Sequence, residues 1–224
     1  MDRILQARDG WDAAIAEALR TAPRPIPVDL RFQPRDVQGR TNVQRYDRGS
    51  FPPARAAATL LLLYPRHDGQ LTLPLTVRHA ELRDHAGEIS LPGGSVDPSD
   101  ASPAAAALRE AREELGVDPA SVRILGELDR IWIPVSNFEL RPFVAATPSR
   151  PRFQPHDAEV AEVIELPLRL VMSGEITDVE EITVRGGLVL RAGVYRYAGQ
   201  RIWGATARTI DMLRSVLHYA TAVI

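Results

Sequence analysis

Short apolar runs separated by turn residues dominate the middle of the chain. Residues 58–64 form such a run, and the Pro-Arg-His-Asp-Gly-Gln sequence between them and residues 71–77 is typical of a turn. An apolar run that stops this soon favours a strand over a buried helix. We therefore predict a strand, a turn and a second strand here. Further strands are predicted at 124–128, 138–145, 163–164, 182–184 and 188–197.

Helical spacing marks both ends of the chain. Apolar residues recur at about every third or fourth position over residues 2–21, which predicts a short amphipathic helix. The next stretch is predicted to be extended, because its prolines cannot sustain a helix: Pro23, Pro25, Pro27, Pro34, Pro52 and Pro53. Later helices are predicted at 168–172 and 204–222. The expected organisation is an N-terminal helix and proline-rich extension, residues 1–55, followed by a main domain, residues 56–224.

Strands mixed with a few segregated helices predict the α+β class, with a mixed sheet flanked by helices. The chain has 224 residues and is 45% hydrophobic, enough for one substantial core. A formal net charge of -2 gives no broad basic field, so we expect neither nucleic acid nor a membrane as partner. Without cysteine, any metal site needs carboxylates or histidines. No signal-like N-terminus and no long apolar run is found, so a cytoplasmic location is expected.

The most informative window, residues 91–117, is predicted to be a loop, a helix and a stop. Ser102 is a good N-cap, and Pro103 suits the first helical position. Gly116 can adopt the left-handed conformation that ends a helix. The helix is therefore predicted at about 103–115.

Three carboxylates lie on one face of that predicted helix. Glu110, Glu113 and Glu114 stand at i, i+3 and i+4, so their charges repel one another. Arg109 can pair with Glu113, but a hard divalent cation with oxygen ligands would relieve the repulsion better. The alternative is a solvated charged face, which is common on exposed helices.

The flanking residues favour the metal-binding interpretation. In order, the chain contains Gly94, Asp100, Arg109-Glu110, Glu113-Glu114, Gly116 and Val117. This series resembles the Nudix box, in which a glycine and an acid precede Arg-Glu, Glu-Glu, a glycine and an aliphatic residue. Asp100 stands where the box has glutamate, and its spacing to Arg109 is one residue longer than in the general box.

A second stretch, residues 75–94, resembles the signature of the coenzyme A diphosphatase branch of the Nudix family. Arg78, Arg83, Gly87 and Pro92-Gly93-Gly94 fall in register with it, while His79 replaces a serine and Leu91 replaces a phenylalanine. Residues 202–208 also resemble that branch. The two stretches together narrow the expected substrate to coenzyme A or its derivatives.

The resemblance implies an α/β/α sandwich that hydrolyses a diphosphate with Mg²⁺ or Mn²⁺. By carry-over from the box, Glu110 and Glu114 would bind the metal, and Glu113 would complete the site or activate the attacking water. Arg109 would hold a carboxylate of the helix in place. Arg78 and Arg83 are candidates for binding substrate phosphates, because arginine grips phosphate with two parallel hydrogen bonds.

Nudix enzymes often take a general base from outside the box, and Glu159 is our candidate, with Glu162 second. The alternative for Glu159 is a solvated acidic turn before the strand at 163–164.

Two other functions stay open at this point. A related enzyme would cleave ADP-ribose or a nucleoside triphosphate instead, and a regulatory module would bind a nucleotide without turnover. The expected partner is a small nucleotide substrate, and the extension, residues 1–55, could pack across a homodimer.

Overall fold

A mixed β-sheet forms the centre of the computed structural model, which describes residues 6–79, 87–184 and 186–223. Within these ranges eight strands form one sheet and three form a smaller one. The strands are β1 (Arg55–Pro65), β2 (Leu71–Arg78), β3 (Ile89–Ser90), β4 (Gly93–Ser95), β5 (Arg123–Glu127), β6 (Ile131–Ile133), β7 (Phe138–Ala146), β8 (Val160–Pro167), β9 (Thr177–Thr183), β10 (Val189–Tyr197) and β11 (Gln200–Ile202). The helices are α1 (Trp11–Thr21), α2 (Asn42–Arg45), α3 (Pro103–Leu115), α4 (Leu168–Ser173) and α5 (Gly204–Val223).

Strand β1 lies at the middle of the large sheet, whose order is β3-β2-β1-β7-β5. It runs parallel to β7 and antiparallel to β2 and β4, while β6 pairs with β7 and β8 with β2. Because side chains alternate along a strand, its leucines supply two cores. Leu60 and Leu62 pack with α3, and Leu61 and Leu63 pack with α1, α4 and α5. The predicted α/β/α sandwich is thereby confirmed.

The smaller sheet has the order β11-β10-β9. It contacts the part of the chain that precedes β1, which we call the N-terminal segment. Phe32 stacks on Tyr195 of β10 with ring centroids 4.7 Å apart. The backbone N–H of Asp29 donates to Asp211 of α5 over 2.7 Å. Helix α1 packs on β5, and Leu19 fits against Gly126, where an added Cβ would lie 3.1 Å from the leucine. The N-terminal segment therefore contributes to the main core.

Most predicted elements are confirmed, and the exceptions have identifiable physical causes. The first helix begins at Trp11, because Gly10 adopts a left-handed conformation and Ala7 bonds to Gly69 of the β1–β2 turn. Residues 2–5 of that predicted helix lie outside the described residues. The proline-rich stretch is mainly irregular, as predicted, but includes α2 and two short 3-10 helices. None of the helices in the described ranges is both long and apolar enough to cross a membrane.

Two predicted strands were too short. Strand β9 starts at Thr177 instead of 182, because cross-strand pairing with β10 stabilises its polar first half. Glu180 in that half accepts hydrogen bonds from Arg196 and Arg201. Strand β8 likewise extends well beyond the predicted 163–164 through its pairing with β2.

Candidate active site

Helix α3 begins and ends where its capping residues predict. The Ser102 hydroxyl accepts a hydrogen bond from Ala105 N–H over 3.1 Å, and Pro103 occupies the first helical position. Gly116 ends the helix at φ +69°, a left-handed conformation that suits glycine. An apolar stripe of the helix packs on the sheet: Ala106, Ala107, Ala111 and Leu115. The opposite edge of α3 carries the charged residues.

Arg109 links the loop before α3 to the helix. Its Nε and Nη2 donate to the two carboxylate oxygens of Asp100, each over 3.1 Å, and Nη2 also donates to Ser95 O. Its Nη1 donates to Glu110 over 2.9 Å and to Glu113 over 3.0 Å. Arg109 lowers the pKa of Asp100, whose side chain is only 6% exposed. This bidentate pair locks the loop and the helix into one unit.

Two carboxylates of the helix lie against the glycines of β4: Glu110 is next to Gly94, and Glu114 accepts a hydrogen bond from the Gly93 backbone. An added Cβ at Gly94 would come within 2.5 Å of a carboxylate oxygen of Glu110. At Gly93 it would come within 2.4 Å of Ala58 O. Only glycine fits at Gly93, because a side chain there would collide with the backbone of β1. At Gly94 a side chain would displace the Glu110 carboxylate from its position.

Glu114 is the most perturbed carboxylate of this cluster. The residue is 5% exposed, and its Oε2 is buried without a hydrogen-bond partner in the described part of the chain. Burial raises the pKa of Glu114 to about 8, and the charges of Glu110 and Glu159 add to the rise, while Arg78 opposes it. Burial also raises the pKa of Glu110. The site therefore gathers carboxyl groups in a place where burial and neighbouring like charges disfavour their ionisation.

The structure brings together most of the predicted site residues. Glu110, Glu114, Glu159, Arg78 and Arg109 lie around one end of the β2, β4 and β8 strands, and Arg78 Nε is buried without a partner in the described ranges. Strand pairing sets Arg78 opposite Val160, the neighbour of Glu159.

Three other candidates differ from this group. The Glu113 side chain is 57% exposed and pairs with Arg109. Glu162 is exposed on β8. Arg83 lies outside the described residues. Within the described ranges, no three histidine, aspartate or glutamate side chains lie together in a way that could hold a metal ion. Arg109 is hydrogen-bonded to both Glu110 and Glu113.

The sequence did not identify the anchoring role of Asp100. The signal that could have indicated this role was the position of Asp100, which is the first acid of the Nudix-like box. The longer spacing to Arg109 is accommodated by a turn in which Asp97 N–H donates to Asp100 over 2.8 Å.

Comparison with known proteins agrees with this geometry. The model of the NUDIX domain family matches residues 53–182. An uncharacterized Nudix hydrolase, NudL, from Pectobacterium atrosepticum is 39% identical over 63% of this chain and 73% of its own length. The NudL protein of Citrobacter koseri is 38% identical over 71% of this chain and 81% of its own length.

A crystal structure of a Nudix hydrolase from M. smegmatis, RenU, is also similar, with a TM-score of 0.49, 20% identity and coverage of 85% of this chain and 94% of that one. The assignment rests on the sequence matches, because the family model spans more than half of the chain and both NudL relatives exceed one third identity. The chain belongs to the Nudix hydrolase family and is a Nudix-type diphosphatase.

Proposed function

We propose that this enzyme hydrolyses the diphosphate linkage of coenzyme A or its derivatives and releases 3′,5′-ADP and a 4′-phosphopantetheine species. The observation that carries this proposal is the position of Arg78. This arginine belongs to the stretch that resembles the coenzyme A diphosphatase signature, and its charge acts on the buried Glu114. Its Nε is buried without a partner in the described ranges, which leaves a donor for a substrate phosphate.

The acidic cluster fits a hard divalent cation, and we propose Mg²⁺ or Mn²⁺. Glu114 keeps a buried oxygen with no hydrogen-bond partner among the described residues, and Glu110 and Glu159 add like charge beside it. Such a set of oxygens is costly when empty and favourable around a cation. Glu110 and Glu114 would hold the ion, with Glu113 completing the set. The bound ion would supply charge neutralisation at the diphosphate and a more acidic water.

The protein side chains have distinct proposed tasks. Glu159 accepts a proton from the attacking water, with Glu113 as the other candidate for this task. Arg109 holds Glu110 and Glu113 by charge-assisted hydrogen bonds, so that the acidic face keeps its geometry. Arg78 and Arg83 bind phosphate groups of the substrate, for which coenzyme A offers both a diphosphate and a 3′-phosphate.

Product analysis tests the proposal directly. Purified protein is incubated with coenzyme A and either Mg²⁺ or Mn²⁺, beside a Glu114→Gln control. Metal-dependent 3′,5′-ADP from the parent and little from the control is the expected result. If coenzyme A is left intact while ADP-ribose or a nucleoside triphosphate is cleaved, the substrate assignment is wrong and the family assignment stands.

The role of Arg83 has its own test. Arg83→Ala is compared with the parent on coenzyme A and on dephospho-coenzyme A. A selective loss on coenzyme A is expected if Arg83 binds the 3′-phosphate. An unchanged ratio of the two rates would remove that role.

Cytoplasmic location and a homodimer remain predictions for the intact protein. Light scattering of the full chain tests the homodimer, and a monomeric mass would exclude it under the assay conditions.

A further inference from the structure

The segment that joins β7 to β8, residues 147–159, crosses the end of α3, and we call it the strap. Gln154 N–H donates to Leu115 O over 2.8 Å, and His156 N–H donates to Glu114 O over 3.0 Å. The last carbonyls of a helix lack partners within the helix, so the strap supplies them. An added Cβ at Gly116 would lie 2.8 Å from the Gln154 Cβ, which shows how closely the two segments approach.

The far end of the strap carries Glu159. Its backbone N–H donates to His156 O over 2.9 Å, and its carbonyl accepts from His79 N–H over 3.1 Å. The backbone of Glu159 is therefore held from both sides, by the strap and by the residue that follows Arg78. The location of the Glu159 carboxylate beside Glu114 depends on where the strap lies.

The near end of the strap is anchored by a bidentate ion pair. Arg150 donates through Nε and Nη2 to the two carboxylate oxygens of Glu165 on β8, each over 2.9 Å. The hydroxyl of Tyr64, a buried residue of β1, donates to the same carboxylate over 2.7 Å. Phe153 packs edge-on against Tyr64 at 5.7 Å, and the Arg150 guanidinium lies 5.3 Å from the Phe153 ring centre. Charge and aromatic contacts thus fasten the strap to the sheet.

The strap is also stiff between its two ends. Pro148, Pro151 and Pro155 fix the backbone φ angle at three positions. Fixing the position of Arg150 therefore restricts the positions of later strap residues more than it would in a flexible loop.

We propose that Arg150 and Glu165 are positioning residues that act through the strap to hold Glu159 at the acidic cluster. This inference rests on the proposed role of Glu159 in proton transfer. Neither Arg150 nor Glu165 touches the reacting atoms. Their loss would let the strap shift on the end of α3, and small shifts of a catalytic group are costly in rate.

The test is a double-mutant cycle with Arg150→Ala and Glu159→Gln, assayed at saturating Mg²⁺. We expect Arg150→Ala to lower kcat about tenfold with KM changed less than about twofold. Arg150→Lys should recover part of the loss, because it restores the charge without the bidentate geometry. In the Glu159→Gln background Arg150→Ala should cause no further loss, since the group being positioned is already gone.

A matched control is available on the same large sheet. Arg141 donates through Nε and Nη2 to Glu127, each over 2.7 Å, and within the described part of the chain it makes no hydrogen bond or ion pair with the strap. Arg141→Ala removes an equally well-formed pair and should leave kcat at the parent value. Amide hydrogen exchange supplies a readout that is independent of activity: Gln154 and His156 should exchange faster in Arg150→Ala and at the parent rate in Arg141→Ala.

Each remaining outcome overturns the inference. Parent-like kcat in Arg150→Ala, an equal loss in the Glu159→Gln background, or unchanged exchange at Gln154 and His156 would each do so. Parent-like kcat in Glu159→Gln alone would remove both the role of Glu159 and this inference, while the coenzyme A assignment would stand. If coenzyme A is not cleaved, the same cycle is measured on the nucleotide that is, so failure of the substrate assignment is recognised separately.

Discussion

Two buried carboxylates in this molecule have opposite surroundings. Asp211 of α5 is 0% exposed, and it accepts hydrogen bonds from Asp29 N–H over 2.7 Å, Arg214 over 3.3 Å and the Tyr195 hydroxyl over 3.4 Å. Glu114 of α3 is 5% exposed, yet one of its oxygens is buried without a hydrogen bond in the described ranges. Like charges face Glu114, and its pKa is raised to about 8, mainly by burial.

The difference separates a structural acid from a site acid. Donors from three parts of the fold converge on Asp211, so its charge is compensated when the chain folds and it joins the N-terminal segment to α5. Glu114 is left with a cost that the protein alone does not offset. Burial alone therefore does not distinguish a structural carboxylate from one that belongs to a site. The number of hydrogen-bond donors around the carboxylate does distinguish them.

The largest expected effect is the loss of activity in Glu114→Gln. We expect kcat/KM to fall by about a thousandfold, or roughly 4 kcal/mol of transition-state stabilisation, because the proposed metal ligand loses its charge. Steady-state kinetics with Mg²⁺ measures the loss, and Asp211→Ala, assayed below its unfolding temperature, is the control. A parent-like kcat/KM in Glu114→Gln would contradict the assignment of Glu114 to the metal site.

The next largest effect concerns stability and should appear in Asp211→Ala. Removing this carboxylate takes the shared acceptor from the Asp29 N–H, the buried Tyr195 hydroxyl and the partly buried Arg214, so the unfolding free energy should fall by about 3 kcal/mol. Denaturant unfolding of the metal-free protein measures it. A loss below about 1 kcal/mol would show that Asp211 does not hold the N-terminal segment to α5.

A third effect distinguishes the two acids by pH. Glu114 has a usual pKa of 4.5 and a folded-state pKa of about 8, so between these values the folded protein holds a proton that the unfolded chain has released. Stability of the metal-free protein should fall as pH rises through this window, by at most about 1.4 kcal/mol per pH unit from this group. The difference in unfolding free energy between the parent and Glu114→Gln isolates the contribution. A difference that stays constant from pH 5 to pH 8 would contradict the burial of Glu114.

Saturating Mg²⁺ should remove most of this pH dependence in the parent, since the cation favours the ionised form. It should have little effect on the pH dependence of Glu114→Gln.

Local signals explain why so much of α3 could be predicted from the sequence. Its ends depend on Ser102, Pro103 and Gly116, which act within one turn of the helix. The central strands were equally accessible, because β1 contains a run of four leucines and the leucines of β2 alternate with other residues after a clear turn sequence.

Features that depend on distant partners could not be predicted. The unpaired oxygen of Glu114 arises from the meeting of α3, β4 and the strap, and no spacing in the sequence encodes that meeting. The Asp100–Arg109 pair requires the loop conformation before α3. The polar half of β9 becomes a strand only because β10 pairs with it.

The smallest expected effect is a loss of stability when α3, the helix that carries Glu114, loses its N-terminal cap. Ser102→Ala removes the hydroxyl that accepts Ala105 N–H, so unfolding free energy should fall by about 1 kcal/mol. Turnover by Ser102→Ala should match the parent, because Arg109 and the strap fix the catalytic half of α3 independently of the cap. A loss of turnover with unchanged stability would instead mean that the Ser102 cap orients the acidic face of α3. The whole helix, and not Glu114 alone, would then differ from Asp211 in serving the site.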